Sequence, residues 1–466
     1  MSRTQHTITE SRENEVFTPE SWGWKQDCYA AWSALLDENP GARALAPARI
    51  TGREHHDYEL VCPDFRGRPL FESAPALVGR FDGARVSGRF EYTASGPADF
   101  PAPGDWVLVD GDAGSPRIQG LLPRRSALSR ARAGPVADEQ VLASNVDVIF
   151  LVFALDGGRN FLVRFLERAL VVARNSGAAC CIVLNKADLA TDEERERSLD
   201  EARRAAPYAN AVALSAKTGE GLEGLSSAIS PGETGCMLGK SGVGKSALVN
   251  ALGRDAAFSK SAAPSLDAPL AREGHVREDD LRGRHTTTSS RLYRLDSGIL
   301  LIDSPGIREL KLWGDAEGLE GAFPEIAEIA CQCRFADCAH EGEPGCAVRE
   351  ALESGALDQS RYLAYLALAK EQAWIERRSD DRARRENDQK WKQISKLQKE
   401  IKKGNKRERP VSPRTKRDVR RTGRARPATR RVTTRRPASR RALQSYCLRN
   451  LSANHAYRDS LAFVST

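Results

Sequence analysis

The chain has 466 residues, of which 40% are hydrophobic and 29% are charged, and its formal net charge is +8. This length suggests about three domains, and because no apolar run approaches ~18 residues, we predict no transmembrane helix. The polar N-terminus, MSRTQHTITESRENEVF, lacks the apolar core of a secretory signal, so we expect a cytoplasmic protein.

The first 135 residues divide into two predicted parts. Residues 1–43 are expected to form an N-terminal extension that is partly disordered and contains a short helical pattern with three tryptophans. Residues 44–135 contain short strand-like stretches, such as GDWVLVDGD and RIQGLLPR, separated by Gly, Pro and Asp. This pattern predicts a small all-β barrel or sandwich. The residues alone do not decide between a structural module and an RNA-binding one.

Residues 136–310 alternate between strand-like and helix-like stretches. VDVIFLVFAL and ACCIVLNKADL are typical of buried strands, and RFLERALVVARNSG between them has helical spacing. This alternation predicts an α/β domain with a parallel sheet, whose ligands lie at the C-terminal ends of the strands. Residues 311–405 are predicted to form a helical, cysteine-containing domain.

The positive charge is concentrated near the C-terminus. Residues 402–441 contain 18 Lys and Arg residues against two acidic residues, so the remainder of the chain is net acidic. A basic segment of this kind favours a polyanionic partner such as nucleic acid. We predict that residues 406–466 form a disordered Arg-rich tail, because this composition cannot bury enough apolar surface to fold alone.

The stretch GKSGVGKS matches the phosphate-binding motif G-x-x-x-x-G-K-[ST] and lies between an apolar strand and a helix, as the motif requires. Its glycines let backbone N–H groups surround phosphate oxygens, and the helix N-terminus adds a favourable dipole. Lys245 is predicted to reach the β- and γ-phosphates and Ser246 to ligate Mg²⁺. The alternative is a glycine-rich turn with an exposed lysine.

Two further segments are typical of a phosphate site. In LLIDSPG, Asp303 is placed to hold Mg²⁺ through water, and the N–H group of Gly306 can meet the γ-phosphate. In GRHTTTSS, one threonine can complete the Mg²⁺ shell. The spacing does not decide among Thr286, Thr287 and Thr288, and Thr287 is taken as the candidate. Three consecutive threonines alone would more often be an ordinary loop.

The tetrapeptide Asn185-Lys186-Ala187-Asp188 is a candidate guanine reader. The carboxylate of Asp188 can accept from guanine N1–H and the exocyclic amine, donors that adenine does not offer there. Asn185 would fix the loop and the base edge, and the Lys186 stem would pack on the ring face. A second strand end, AVALSAKTGEG, offers backbone N–H groups to guanine O6, and its candidate residues are Ser215, Ala216 and Lys217.

The order of these motifs is unusual, because the base readers precede the phosphate loop. A standard GTPase carries the phosphate loop first and the base readers last. Since pocket geometry depends on strand adjacency rather than chain order, the sequence predicts a circularly permuted GTPase. The base readers argue against an ATP-using kinase. Because the D-x-P-G segment then joins the C-terminal domain, we expect the GTP state to be reported to that domain.

The residue after D-x-P-G is Ile307, where Ras-like GTPases place a glutamine that orients the attacking water. An apolar side chain cannot orient water, so we predict slow intrinsic hydrolysis that a partner accelerates. His285, beside the threonines, is a conceivable substitute, although a lone loop histidine is usually solvated.

A cysteine cluster in the C-terminal part predicts a metal site. The chain has ten cysteines, and in a long cytosolic protein these do not indicate a disulfide framework. Cys333, Cys338, His340 and Cys346 form a complete tetrahedral Cys₃His set with no open position, which favours a structural Zn²⁺. The alternatives are four reduced residues in a loop, or Cys331 as a rival ligand.

Taken together, these features resemble the RsgA (YjeQ) family of circularly permuted GTPases, which assist maturation of the small ribosomal subunit. The stretches that carry the resemblance are GDWV, LPRRSALSRARAG, EQVLASNVDVIFLV, LNKADL, GKSGVGKS, GRHTTT, DSPGIREL and CRFADCAHEGEPGCAV. The resemblance covers about residues 21–405, and the Arg-rich tail departs from it.

The resemblance implies an N-terminal OB-fold barrel, a central P-loop GTPase domain and a C-terminal zinc-binding domain. It implies an enzyme that hydrolyses GTP with Mg²⁺, contains one structural Zn²⁺, binds the small ribosomal subunit and its rRNA near the decoding region, and is stimulated by the ribosome. We also expect a monomer without a membrane partner. The alternative is a GTP-gated rRNA-binding factor in which hydrolysis is incidental. The phosphate-loop residues implied to contact GTP are Gly239, Lys240, Ser241, Gly242, Val243, Gly244, Lys245, Ser246 and Ala247.

Overall fold

The structure is a computed structural model of the chain. It describes residues 17–71, 77–110, 116–131, 139–157, 161, 163–225, 227–254, 290–304, 312, 316–375 and 377. Six residues discussed above, His285, Thr286, Thr287, Thr288, Gly306 and Ile307, lie outside the described residues, as does the Arg-rich tail. Within the described ranges, no helix combines the length and apolar character needed to cross a membrane.

The described residues form strands and helices in the following order. The strands are β1 (Ala46–Glu54), β2 (Asp57–Cys62), β3 (Gly79–Val86), β4 (Trp106–Asp110), β5 (Arg117–Leu121), β6 (Ala127–Ala131), β7 (Glu139–Ser144), β8 (Val148–Ala154), β9 (Ala179–Asn185), β10 (Asn210–Ala213), β11 (Thr234–Leu238), β12 (Arg291–Arg294) and β13 (Leu300–Asp303). The helices are α1 (Gln26–Glu38), α2 (Gly88–Thr93), α3 (Val163–Asn175), α4 (Asp192–Ala205), α5 (Lys245–Arg254), α6 (Ala316–Ala322), α7 (Pro324–Ala330), α8 (Ala347–Glu353) and α9 (359–375).

The N-terminal strands form a five-stranded barrel. Their order is β1-β2-β3-β5-β4, and pairing of β4 with β1, from Ala46↔Val109 to Arg49↔Trp106, closes the barrel. Apolar side chains at alternate positions, such as Ile50 on β1, are buried together inside it, as expected where strands present one face to a core. The predicted all-β barrel is therefore confirmed.

The central sheet has the order β10-β9-β8-β11-β13-β12, and it is parallel except for β12. Strand β8 is buried along its whole length, because helices cover both faces of a parallel sheet. Leu166 and Leu170 of α3 pack in the core on one face, and Leu248 and Leu252 of α5 pack in the core on the other.

The strand order shows how the chain is permuted. The phosphate loop follows β11, which lies at the centre of the sheet between β8 and β13, although β8, β9 and β10 all precede it in sequence. The candidate base readers follow β9 and β10, and the D-x-P-G segment begins at the end of β13. This is the predicted circularly permuted GTPase fold.

The barrel and the GTPase sheet are joined at a buried junction. Strands β1 and β12 pair at Gly52↔Arg291, so the two sheets are continuous. Arg49 of β1 is buried there and donates to the carbonyl of Asn145 at 3.3 Å and to Thr234 Oγ1, at the start of β11, at 3.2 Å. Burial lowers the pKa of Arg49 to about 10.

The helices after β13 pack against α3 of the GTPase domain. A Cβ added to Gly318 of α6 would lie 2.0 Å from Asn175 Oδ1, so the two helices approach closely. Arg361 of α9 bonds Glu325 Oε1 at 2.7 Å and Glu167 Oε1, on α3, at 3.2 Å. The pair between Arg361 and the buried Glu167 carboxylate therefore joins the C-terminal helices to α3.

Candidate functional site

The phosphate loop is organised around the amine of Lys245, at the first position of α5. Its Nζ atom donates to the carbonyls of Gly239 at 3.1 Å and Lys240 at 3.0 Å. Burial lowers the pKa of this lysine to about 8, and the charge of Asp303 opposes that shift. A buried amine with a depressed pKa gains from a phosphate partner, because an anion restores the charged form.

Two glycines of the loop are required by close approaches. A Cβ at Gly239 would lie 2.3 Å from the carbonyl oxygen of Val152, which belongs to the neighbouring strand β8. Gly244 has a φ of +93°, and a Cβ there would lie 2.5 Å from Asn185 Nδ2. Any larger residue would displace the loop from the sheet or from the base-reading segment.

The candidate Mg²⁺ ligands lie together. Ser246 Oγ donates to Asp303 Oδ2 at 2.6 Å, which joins the start of α5 to the end of β13. Ser304 Oγ donates to the carbonyl of Met237 on β11, which fixes the first residue beyond β13. A hydroxyl and a carboxylate are oxygen ligands of the kind that Mg²⁺ prefers, so this pair fits a Mg²⁺ ion.

Asn185 connects the phosphate loop to both candidate base-reading segments. It lies at the end of β9, its side chain is buried, and its Nδ2 donates to the carbonyl of Val243 at 2.8 Å. Its Oδ1 accepts from the backbone N–H of Ala216 at 3.0 Å. One side chain therefore contacts a phosphate-loop residue 58 positions away and a base-reading residue 31 positions away in the chain.

The two base-reading segments are also bonded to each other. Ser215 Oγ donates to Asp188 Oδ1 at 2.6 Å, and the N–H of Ala187 donates to the carbonyl of Leu214 at 3.0 Å. Lys186 adopts a φ of 64°, and its amine lies 3.8 Å from Asp156 Oδ2. The turn leaves the Asp188 carboxylate exposed, where a base can reach it.

Lys217 is the outermost candidate of the second segment. Its side chain is exposed, whereas Ser215 is buried and Ala216 is half-buried. The N–H of Thr218 donates to Ser215 Oγ at 3.2 Å, which tightens the turn after β10. Contacts to the base-reading tetrapeptide therefore come from the Ser215 side chain and from the backbone of Leu214 and Ala216.

Cys333, Cys338, His340 and Cys346 form a compact group. Their candidate ligand atoms all lie within 4.8 Å of one another, and the group does not include Cys331. His340 Nδ1 lies 3.6 Å from Cys333 Sγ and 3.4 Å from Cys346 Sγ. Three thiols and an imidazole at these separations fit tetrahedral Zn²⁺ coordination.

A turn around Glu343 shapes the same loop. Its carboxylate accepts backbone N–H bonds from Ala339 at 2.8 Å, Glu341 at 2.9 Å and Gly342 at 3.1 Å. These bonds lower the pKa of Glu343 to about 2, and the bond from Ala339 has the largest effect. Burial lowers the pKa of His340, which favours the neutral imidazole that a metal requires.

Comparisons with known proteins decide the family. A family profile described as RsgA GTPase matches residues 121–313. The Small ribosomal subunit biogenesis GTPase RsgA of Opitutus terrae is 38% identical over 388 residues, which cover 81% of this chain and 96% of that protein. The protein of the same name from Streptomyces coelicolor is 40% identical over 407 residues, covering 85% and 99%. The chain belongs to the RsgA GTPase family.

Membership of the RsgA GTPase family confirms the resemblance and the prediction of a GTP-hydrolysing enzyme. The solved structure of YjeQ from Thermotoga maritima also matches, with a TM-score of 0.49 and 25% identity, over 70% of this chain and 97% of that one.

Sequence reasoning missed two residues that support the framework of this RsgA-family pocket. Asp147 lies just before β8 and pairs with Lys25 at 2.7 Å and Arg125 at 2.6 Å. It also accepts from the N–H of Thr234 at 2.9 Å, so it fixes the start of the strand that leads to the phosphate loop. Arg195 of α4 bonds the base-reading tetrapeptide. These are tertiary contacts of individual side chains outside any motif, so no local sequence pattern predicts them.

Proposed function

We propose that this chain is a GTPase that binds the small ribosomal subunit, assists its late maturation, and hydrolyses GTP faster when bound to it. The observation that carries the proposal is Asn185, which bonds the phosphate loop and a base-reading segment at once. That arrangement supports a single guanine-nucleotide pocket built from motifs in permuted order. The two relatives described above, from Opitutus terrae and Streptomyces coelicolor, are named small ribosomal subunit biogenesis GTPase.

We assign phosphate and Mg²⁺ binding to the loop 239–247 and to the C-terminal end of β13. Lys245 would bind the β- and γ-phosphates, while Ser246 and Asp303 would hold Mg²⁺. When bound, Mg²⁺ supplies neutralisation of charge on the phosphate oxygens. Thr287 would complete the Mg²⁺ shell and sense the γ-phosphate, and the N–H of Gly306 would bind the γ-phosphate.

Guanine recognition is assigned to the ends of β9 and β10. Asp188 would accept from N1–H and the exocyclic amine, and its bond from Ser215 orients the carboxylate. Lys186 would cover one face of the base, and the segment from Ser215 to Lys217 would present backbone N–H groups to O6. Adenine offers neither donor, so it would exclude water from the carboxylate without giving a bond in return, and this cost gives the specificity.

Slow intrinsic turnover is expected, because Ile307 cannot orient water. The attacking water must then be positioned by another group, either His285 or a group of the ribosomal partner. Dependence on the partner would tie hydrolysis to docking and to release.

The Cys₃His group is assigned one structural Zn²⁺. Four ligands complete a tetrahedron, so no position remains for a substrate. Cys346 also caps α8, since the N–H of Arg349 lies 3.4 Å from its sulfur, and metal binding would therefore fix the start of that helix. Replacing Cys331 with Ser should leave zinc content unchanged, because Cys331 lies outside the group.

The proposed setting is a cytoplasmic monomer that binds rRNA. Residues 402–441 supply the densest positive charge in the chain. Phosphate contacts from this segment would release counterions and make binding strongly dependent on salt. Deleting residues 406–466 should therefore flatten the salt dependence of subunit binding.

The test is GTP turnover with and without purified small subunits, for the wild type and for Lys245→Ala. We expect several-fold stimulation of the wild type and no turnover by the variant. Unstimulated turnover in the presence of saturating subunits would refute the proposal and favour a GTP-gated rRNA-binding factor. Equal hydrolysis of ATP would refute the guanine assignment.

A further inference from the structure

A cation on α4 bridges the two candidate base-reading segments. Arg195 Nη2 donates to the carbonyl of Ala187 at 3.0 Å, within the tetrapeptide that follows β9. Its Nη1 pairs with Glu220 Oε1 at 2.8 Å, in the turn that follows β10. We propose that Arg195 is a positioning residue that holds Asp188 against the guanine edge. This inference rests on the proposed guanine pocket and adds a specificity determinant to it.

The bonds around Arg195 form a closed circuit. Ala187 is joined to Asp188 by a peptide bond, Asp188 accepts from Ser215 Oγ, and the N–H of Ser215 donates to the carbonyl of Glu220 at 2.9 Å. Glu220 returns to Arg195 through the ion pair. A closed ring of contacts restricts the side-chain and backbone torsions of each residue in it, because a change in one bond strains the neighbouring bonds.

The carbonyl of Ala187 belongs to the peptide unit that precedes Asp188. On the other side of Ala187, its N–H is held by the carbonyl of Leu214. Hydrogen bonds to the peptide units on both sides of the Ala187 Cα restrict its backbone torsions, which favours one direction for the Asp188 side chain. The carbonyl also accepts from the N–H of Ala190 at 3.2 Å, so losing the bond to Arg195 removes its charged donor and leaves the neutral backbone donor.

Arg195 is itself held in place. It lies in the first turn of α4, whose start is fixed by a capping box: Glu194 Oε2 accepts from the N–H of Thr191 at 3.0 Å, and Thr191 Oγ1 accepts from the N–H of Glu194 at 3.3 Å. The Arg195 side chain is 25% exposed, against 52% for its partner Glu220. The bond to Ala187 is therefore better shielded from solvent than an ordinary surface contact.

The expected effect is on base discrimination. A bond from a charged donor to a half-buried carbonyl supports a loss of about tenfold in GDP affinity for Arg195→Ala. Inosine diphosphate lacks the exocyclic amine that Asp188 would read, so its affinity should fall less. The ratio of inosine diphosphate to GDP dissociation constants should then fall about threefold or more relative to wild type.

The experiment measures dissociation constants of GDP, inosine diphosphate and ADP by competition with a fluorescent guanine nucleotide, together with the thermal midpoint of each variant. Arg195→Lys should recover part of the preference, because one ammonium can reach the carbonyl. Glu220→Gln should lower it less than Arg195→Ala does. Arg203→Ala is the matched control, since this exposed arginine of the same helix pairs with the exposed Asp200 and not with a base-reading segment within the described residues.

The outcomes separate the two levels of the proposal. If the wild type prefers GDP and Arg195→Ala keeps the same preference, Arg195 does not position Asp188 and the inference is wrong. If Arg195→Ala weakens both nucleotides equally and lowers the thermal midpoint, its role is only structural and the inference is also wrong. If the wild type shows no preference between GDP and ADP, the guanine pocket itself is refuted.

Discussion

Replacing Asn185 with Ala perturbs the contact on which the assembled pocket depends. The side chain is 2% exposed and bonds the carbonyl of Val243 and the N–H of Ala216. Each buried backbone group that loses its partner costs about 1–3 kcal/mol. In the nucleotide-free variant, the two loops can shift so that water bonds the unpaired groups. A bound nucleotide holds the loops in place, so the cost of the unpaired groups then lowers the binding affinity. We assign about 2 kcal/mol to binding, which is about a 30-fold rise in the GDP dissociation constant.

The assay is equilibrium titration with a fluorescent GDP analogue, alongside circular dichroism to verify the fold. Asn210→Ala is the control, because Asn210 is exposed at the start of β10. A change of less than about threefold in a folded Asn185→Ala protein would refute the reasoning, because it would mean that the bridge does not couple the two loops.

Three further predictions follow from buried charges and the cysteine group. The pKa of Lys245 is lowered to about 8 from its ordinary 10.5, so between these values the unfolded chain binds more protons and the stability of nucleotide-free protein rises with pH. Lys245→Met should abolish that rise in thermal midpoint, and an equal rise in the variant would contradict the assignment. Cys338→Ala should reduce bound zinc from about one per chain to a small fraction by metal analysis, with a lower thermal midpoint; full retention would show that the cysteine is not a ligand. Arg361→Ala leaves Glu167, whose side chain is 4% exposed, without its α9 partner, and should cost about 3 kcal/mol of unfolding free energy in denaturant titrations. Arg349→Ala, which removes an exposed pair, should cost less than about 0.5 kcal/mol, and similar losses for both variants would contradict the account.

The parts of the pocket that sequence reasoning located are those with local patterns. GKSGVGKS is recognised because glycine spacing, a preceding apolar strand and a following helix occur in one short stretch, and the structure has β11 and α5 on either side of it. The buried strand β8 could be predicted from its unbroken apolar run. The barrel strands were predictable from alternation and turn residues, because one face of each strand packs inside.

The contacts that join these parts could not be predicted. Strands β1 and β12 pair at Gly52↔Arg291, and pairing through backbone groups leaves no side-chain signature. Arg49 reads as an ordinary strand arginine, yet it is buried and bonds Thr234 across 185 residues. The link from Arg195 to Ala187 spans only 8 residues but depends on how α4 turns back towards the strand ends. Each is a tertiary contact of one side chain, which periodicity does not encode.

The base specificity of Asp188→Asn tests the central assignment most directly. Xanthine carries a carbonyl at the position where guanine carries its exocyclic amine, so an Asn amide can donate where the Asp carboxylate could only accept. The substitution keeps the shape of the side chain and an oxygen for the bond from Ser215 Oγ. The account predicts that the GDP dissociation constant rises about 100-fold while xanthosine diphosphate becomes the tighter ligand. Unchanged GDP affinity, with xanthosine diphosphate still excluded, would contradict it.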